Sequence, residues 1–322
     1  MIKIGLLGGS GYVAGELLRI LLKHPKVNIS SVVSRSQTGL PVSKIHKDLV
    51  GDSNLFFTDA LGDDIDVVFL CLGPNNAKDS LKFISYKTSI IDLSNDFRLL
   101  KYSNERYFIY GLSELYYEKI KRARNIANPG CFATAIQLAL LPLAKMSLLK
   151  DDIHISAITG SSGGGRNIVS ENSNFSYRAN NISSYKVFTH QHIKEIFQNL
   201  KFLQKDLQQR FFFTPYKGNF TRGIFTTIYI RSSISLMEIE VVYKNFYKYH
   251  PFTHLSENPI HIKQVVNTNK CLLHIAKENG FLIISSVIDN LLKGASGQAI
   301  QNLNIMFGFD ETSGLELKAL AV

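Results

Sequence analysis

Ile2 to Leu7 is a short apolar run that stops at Gly8-Gly9-Ser10-Gly11, and Tyr12 to Lys23 then carries Val13, Leu17, Leu18, Leu21 and Leu22 at helical spacing. This pattern predicts strand, tight turn, helix. Val27 to Ser34, Asp66 to Leu72 and Ser89 to Leu93 predict three more strands, with a helix from Ala77 to Tyr86 between the last two. Alternation of this kind implies an α/β fold, a Rossmann-type doubly wound parallel sheet.

The pattern changes after about residue 130. Ile153 to Ile158, Gly223 to Ile230 and Phe281 to Asp289 read as strands between longer irregular stretches, which predicts a second, mixed α+β domain. In the final stretch, Gly294 to Phe307, helical spacing returns with Ile300, Leu303 and Met306. The expected division is therefore a first domain over 1–129, completed by a C-terminal helix within 294–322, and a second over 130–293. A chain of 322 residues with 45% hydrophobic content can bury two such cores.

Charge and cysteines narrow the function classes. Thirty-six Lys plus Arg against 26 Asp plus Glu leave a net +10, but the basic residues are dispersed and lack the aromatic interleaving of a nucleic-acid surface. An anionic, phosphorylated small molecule suits the charge better. Glycines interrupt the first apolar run, Glu16 and Arg19 follow it, and no apolar run approaches membrane-spanning length. Three cysteines, Cys71, Cys131 and Cys271, show no zinc-pair or disulfide spacing, which points to the cytoplasm.

The turn Gly8-Gly9-Ser10-Gly11-Tyr12-Val13-Ala14 joins a strand to a helix with small residues at its first, fourth and seventh positions. Small residues let backbone approach a pyrophosphate, and the helix N-terminus offers free N–H groups, so Gly8, Ser10, Gly11, Tyr12 and Val13 are candidate dinucleotide contacts. Ser34-Arg35-Ser36 stands at the end of the second strand, where an NAD site usually places a carboxylate. Arginine and serines favour the 2′-phosphate of NADP; the alternative is a solvated loop arginine.

Asn128-Pro129-Gly130-Cys131 precedes Phe132 to Leu141, a helix-forming stretch expected to run until Pro142. Cys131 thus falls at a helix N-terminus, where the dipole favours the reactive thiolate. Cys71 and Cys271 read as small buried hydrophobes. His190 and His192 could carry a proton for the thiol, could join Cys131 on a metal, or could be plain hydrogen-bonded side chains. Ile158 to Arg166 includes Ser162 and Gly163 and is glycine-dense, either a cradle for phosphate or nicotinamide with Arg166 as charge partner, or a flexible surface loop.

Ala127 to Ala135, with Pro142 beyond it, resembles the active-site signature of the N-acetyl-gamma-glutamyl-phosphate reductases of arginine biosynthesis, relatives of aspartate-semialdehyde dehydrogenase. Gly8 to Leu17, Asp92 to Arg98, Tyr110 to Glu114 and Asp289 to Ala299 extend the resemblance over nearly the whole chain. It implies that Cys131 attacks an acyl phosphate, that NADPH reduces the resulting thioester to an aldehyde, and that His192, with His190 the second candidate, is the acid/base group. It places Asn290 and Gly294 near the cofactor, Arg98, Asn128 and Arg166 near the substrate, no metal in the site, and the protein in a homodimer or homotetramer. Ala14 stands for the third glycine, Gly73-Pro74-Asn75-Asn76 for a Leu-Pro-His-Gly type turn, and Gln191 for the arginine usual between the histidines. The loop Ser161 to Arg166 is also a variant. Alternatives are the same chemistry on an N-succinyl-glutamyl phosphate or a carrier-bound aminoadipyl phosphate, and a catalytically silent NADP-binding regulator.

Overall fold

The computed structural model describes residues 1–73, 75–100, 102–166 and 175–320 and divides them into two compact units. Met1–Pro129 and Ala295–Glu316, with Gly165 and Arg166, make the first; Gly130–Gly164 and the described residues from 175 to Gly294, with 317–320, make the second.

In the first unit the chain forms β1 (Ile2–Leu7), α1 (Tyr12–Leu21), β2 (Val27–Val33), α2 (Val42–Ile45), β3 (Phe57–Thr58) and β4 (Val67–Leu70). It continues through α3 (Asn76–Ser80), β5 (Ser89–Asp92), β6 (Tyr102–Ser103), β7 (Arg106–Tyr110), α4 (Ser113–Ile120) and β8 (Asn125–Ala127). The strands lie in the order β3-β2-β1-β4-β5-β8-β7-β6, all neighbours parallel except β6 and β7. Every side chain of β4 is buried, as expected for an inner strand of a parallel sheet covered on both faces. The order reverses between β1 and β4, so the glycine turn at the end of β1 lies at the switch point where open α/β sheets bind ligands.

The helix expected from Ala77 to Tyr86 is shorter. α3 ends at Ser80, one tighter turn covers Leu81–Phe83, and Ile84 is extended. The carbonyls of Ile84 and Ser85 accept instead from the Arg106 guanidinium, at 3.2 and 2.7 Å, so they are satisfied without further helix. Arg106 is far away in sequence, so local periodicity carries no sign of it.

The second unit begins with α5 (Cys131–Lys145), whose residues 132–144 are all buried. A helix apolar on every side needs cover on every side. α7 (His192–Leu203) and α8 (Leu236–Tyr247) pack on it, and it lies on a seven-stranded sheet. The strands are β9 (Ile153–Thr159), β10 (Ser183–Ser184), β11 (Phe211–Lys217), β12 (Ile224–Arg231), β13 (Thr253–Ser256), β14 (Cys271–Glu278) and β15 (Phe281–Ile288), with the short α6 (Phe175–Arg178) before β10. Their order is β10-β11-β9-β12-β15-β14-β13, with β11 beside β9 and β13 beside β14 parallel and the rest antiparallel.

α5 does not stop at Pro142. Proline removes the N–H that would bond the Leu138 carbonyl and crowds that turn. The Tyr247 hydroxyl donates to Leu138 O in place of the missing N–H, the Tyr243 hydroxyl donates to Ala139 O, and the helix runs on to Lys145.

The C-terminal helix, α9 (Gly297–Met306), belongs to the first unit and follows a wide turn over Leu292–Ser296. Its Gln298 and Gln301 donate to Ser113 Oγ at 3.1 and 2.8 Å, and Asn302 donates to Gly111 O at 2.8 Å. These amides are buried, which explains a helix rich in Gln and Asn that is nevertheless a core element.

Candidate active site

The glycine turn is built for an anion. Gly8 has φ +84°, and a Cβ there would lie 2.6 Å from Cys71 O. At Gly11, the N-cap of α1, a Cβ would meet only Gly8 O at 3.9 Å, so open space lies over the helix start. No side chain caps α1 and no acidic residue stands in its first turn, which leaves the first N–H groups and the positive end of the helix for a phosphate. A dinucleotide therefore fits the turn. Ser10, Tyr12 and Val13 line it, Val13 O accepts from Ser296 Oγ at 2.9 Å, and Arg166 Nη1 donates to Ser10 O and Ile45 O, each at 3.3 Å.

β1 and β2 pair in register at Leu7 and Val33, which puts Ser34-Arg35-Ser36 beside this turn. Ser34 is buried and its carbonyl accepts from Gln37 N, while Arg35 and Ser36 are exposed. In the loop after β4, Asp96 accepts from Asn75 N at 2.8 Å and Ala77 N at 3.1 Å; Pro74 lies outside the described residues.

Where the first unit ends, Asn128 is 1% exposed and its amide is engaged at both atoms. It donates to Ala295 O and accepts from Asn302 Nδ2, each at 3.0 Å, while its carbonyl accepts from Arg98 Nε at 2.9 Å. Arg98 and Asn128 thus meet each other, and their bonds fix the turn that leads to Pro129. Nearby Asp92 is fully buried, and burial raises its carboxyl to about 7 despite two hydrogen bonds from Ser94. Burial and then Asp92 push the Cys71 thiol up as well, away from thiolate chemistry.

Because the folded carboxyl of Asp92 titrates above its unfolded value, its contribution is fully present below the unfolded value and is lost as pH rises through about 7. Asp92→Asn keeps the shape and removes the ionisation. We expect the variant to be more stable than wild type at alkaline pH, by on the order of a few kcal/mol, with the advantage fading toward pH 4. Urea unfolding at several pH values checks this; a pH-independent difference would refute it.

In the second unit Cys131 is the first residue of α5, after the N-cap Gly130, and is partly exposed. Position and access are those of a reactive thiol. A Cβ on Gly294 would come within 2.8 Å of the Cys131 Cβ, so Gly294 makes room for this residue. Gly294→Ala should displace the thiol and cut turnover by about 10²-fold. The rate of thiol alkylation should fall with it while the melting temperature holds.

Both histidines lie close to Cys131's neighbour: the Phe132 ring centroid is 5.5 Å from that of His190 and 6.3 Å from that of His192. His192 Nε2 lies 3.6 Å from Glu195 Oε1, and Glu195 Oε2 accepts from Gly130 N at 3.4 Å. One buried carboxylate thus connects the imidazole with the backbone that places the thiol. His190 Nδ1 accepts from His192 N at 3.2 Å. Burial, then the neighbouring charges of His192 and Lys186, pull His190 down to about 3, so its imidazole stays neutral. Tyr185 stands 5.8 Å from His190 ring to ring, and burial, then the charge of Cys131, raise its phenol.

The glycine-dense loop is pinned rather than loose. Gly160 N, Ser161 N and Ser162 N donate to Gly223 O, Phe220 O and Thr221 O at 2.8–3.0 Å, and Asn290 spans the same place. Asn290 Nδ2 donates to Ser162 Oγ at 3.0 Å and its Oδ1 accepts from Gly223 N at 2.7 Å. Gly163 lies next to Thr159 and Asn290. Sequence reasoning missed Glu195, although its spacing of three from His192 on one helix was a usable signal, and Tyr185, for which no local signal exists.

Among the described residues no three His, Cys, Asp or Glu side chains cluster to hold a metal, and no helix is long and apolar enough to cross a membrane.

Residues 3–123 match the family described as semialdehyde dehydrogenase, NAD binding domain, and residues 131–290 match semialdehyde dehydrogenase, dimerisation domain, which sets the class. The fold agrees: aspartate semialdehyde dehydrogenase II of Vibrio cholerae, complexed with ASA, superposes with a TM-score of 0.72 at 13% identity, over 96% of this chain and 98% of that one. Within the class, the N-acetyl-gamma-glutamyl-phosphate reductase of Karelsulcia muelleri (strain GWSS) is 54% identical over 100% of both chains. That of Christiangramia forsetii is 53% identical over 99% of both. The chain belongs to the N-acetyl-gamma-glutamyl-phosphate reductase family.

Proposed function

We propose that this protein reduces N-acetyl-gamma-glutamyl phosphate to N-acetyl-glutamate 5-semialdehyde with release of phosphate, a step of arginine biosynthesis. The observation that carries the chemistry is Cys131 at the open N-terminus of α5 with His192 and Glu195 beside it. The acetyl substrate rests on the relatives' names.

The Cys131 thiolate attacks the acyl carbonyl, the carbon–oxygen bond to phosphate breaks, and a thioester remains. NADPH, when bound, supplies the hydride that takes the thioester to the aldehyde. His192 takes the thiol proton and later returns it to the sulfur as the adduct collapses to the aldehyde, while Glu195 holds the imidazole in place. Gly8, Ser10, Gly11, Tyr12 and Val13 would hold the pyrophosphate, and Arg35 with Ser34 and Ser36 the 2′-phosphate. Arg166, at the carbonyl of Ser10, would add a cation to the phosphates. Ser162, Gly163 and Asn290 form a pinned shelf suited to the nicotinamide, and Arg98 and Asn128 act by fixing the turn before the nucleophile.

The second unit carries the dimerisation-domain match, and alternate side chains of β9 and β12 form a sheet face that is not fully buried. There His154 stacks between Phe212 and Tyr229, at 5.0 Å from each ring, and Tyr229 is 40% exposed. A second copy packing on this face makes a homodimer. The cytoplasm, where NADPH is at hand and the three free thiols stay reduced, is the fitting compartment.

The test is phosphate-dependent reduction of NADP in the reverse direction, with N-acetyl- and N-succinyl-glutamate semialdehyde side by side. Turnover of the acetyl compound that needs phosphate supports the reading; preference for the succinyl compound reassigns the acyl group, and failure on both sinks it. Arg35→Ala should raise KM for NADPH by about 10-fold or more while leaving KM for NADH nearly unchanged. An equal effect on both would remove the 2′-phosphate role.

A further inference from the structure

We propose that Lys186 and Lys217 form a carboxylate subsite near Cys131 and the two histidines, which receives the free α-carboxylate of the acylated amino-acid substrate. This deepens the reading above and rests on it for the substrate's identity.

The two lysines adjoin one residue, Tyr185. Lys217 Nζ lies over the ring of Tyr185 at 5.1 Å from its centroid, and Lys186 is the next residue along the chain. Tyr185 packs on His190, whose ring lies 5.5 Å from that of Phe132, the neighbour of Cys131, and Lys186 Nζ bonds Gln191, the residue between the two histidines. The backbone fixes this place: Tyr185 N donates to Pro215 O at 3.1 Å, and Ser183 pairs with Lys217 in the β10–β11 register.

Among the described residues no carboxylate forms an ion pair with Lys186 or Lys217. Lys186 Nζ donates to a neutral acceptor, Gln191 Oε1 at 3.0 Å, and Lys217 has the face of Tyr185. Glu195 is buried and turned to His192 and Gly130 N. Two ammonium groups held by an amide and an aromatic face are positioned yet open to an anion.

Placement selects the carboxylate over the phosphate. The phosphate is bonded to the carbonyl that Cys131 attacks, so it must lie against the sulfur itself. Lys217 lies over Tyr185 and Lys186 bonds Gln191, so both adjoin the histidine segment and not the sulfur itself. In a glutamyl phosphate three carbons separate the reacting carbonyl from the α-carboxylate, so the two ends need separate places.

The first measurement is calorimetric binding of N-acetylglutamine, which keeps the α-carboxylate and has a neutral side-chain carbonyl. Lys186→Met and Lys217→Met should each weaken it about tenfold or more, and Lys→Arg at either place should restore much of the loss. In the reverse reaction, KM for the semialdehyde should rise similarly, with kcat and the KM values for phosphate and NADP nearly unchanged. Unchanged N-acetylglutamine binding in both Met variants, or a rise confined to the phosphate KM, would overturn the subsite. Because binding is read without turnover, a protein that fails the reductase assay yet loses N-acetylglutamine affinity in the variants would sink the reductase reading and leave the subsite standing.

Discussion

Cys131→Ser is expected to lower phosphate-dependent NADP reduction by at least roughly 10⁴-fold while NADPH binding and the melting temperature stay at wild-type values. The hydroxyl is nearly the size of the thiol, so the packing against Gly294 and the start of α5 survive. What is lost is the thiolate: a serine hydroxyl stays protonated where a helix N-terminus can still favour a thiolate. Cys71 and Cys271 provide the internal control. Cys271 is buried, burial and Asp92 push the Cys71 thiol up, and serine at either place should leave turnover within a few-fold of wild type. Steady-state assays with NADPH binding by fluorescence check the pattern; a Cys131→Ser protein with comparable activity would refute the thioester route.

The first strand, turn and helix could be read from sequence because each signal is local: apolar residues in series, then glycines, then a 3.6-residue period. Cys131 was legible for the same reason, since Pro129 and Gly130 fix the turn just before it. Elements whose causes lie elsewhere in the chain were not. α3 ends early because Arg106 takes the carbonyls of Ile84 and Ser85, and α5 continues through Pro142 because Tyr247 offers its hydroxyl to Leu138 O. β10 and β13 are short edge strands whose partners, β11 and β14, pair with them across tens of residues. In the candidate site, residue types were visible but partners were not. Asn128 and Arg98 read as candidate substrate contacts, and their bonds to each other appear only when the chain is folded.

The two histidines separate by experiment as they do by environment. His192→Asn should lower kcat by about 10²–10⁴-fold, because the imidazole nearest Glu195 is the one proposed to carry the thiol proton. His190→Asn should cost at least roughly tenfold less, because a group held down to about 3 stays neutral and has no proton to exchange near neutrality. Its work is done by Nδ1, which accepts from His192 N at 3.2 Å and steadies the start of α7. The pH profile adds a sign. His190 titrates in the fold below its unfolded value, so protonation of the unfolded chain costs the native state stability as pH falls below about 6.5, yet adds no limb to the activity profile above pH 5. His190→Asn should therefore leave the pH dependence of kcat unchanged and reduce the loss of stability in mild acid, whereas His192→Asn should change that pH dependence. If the profile vanished with His190 instead, the acid/base role would belong to that residue and the neutral state assigned to it here would be wrong.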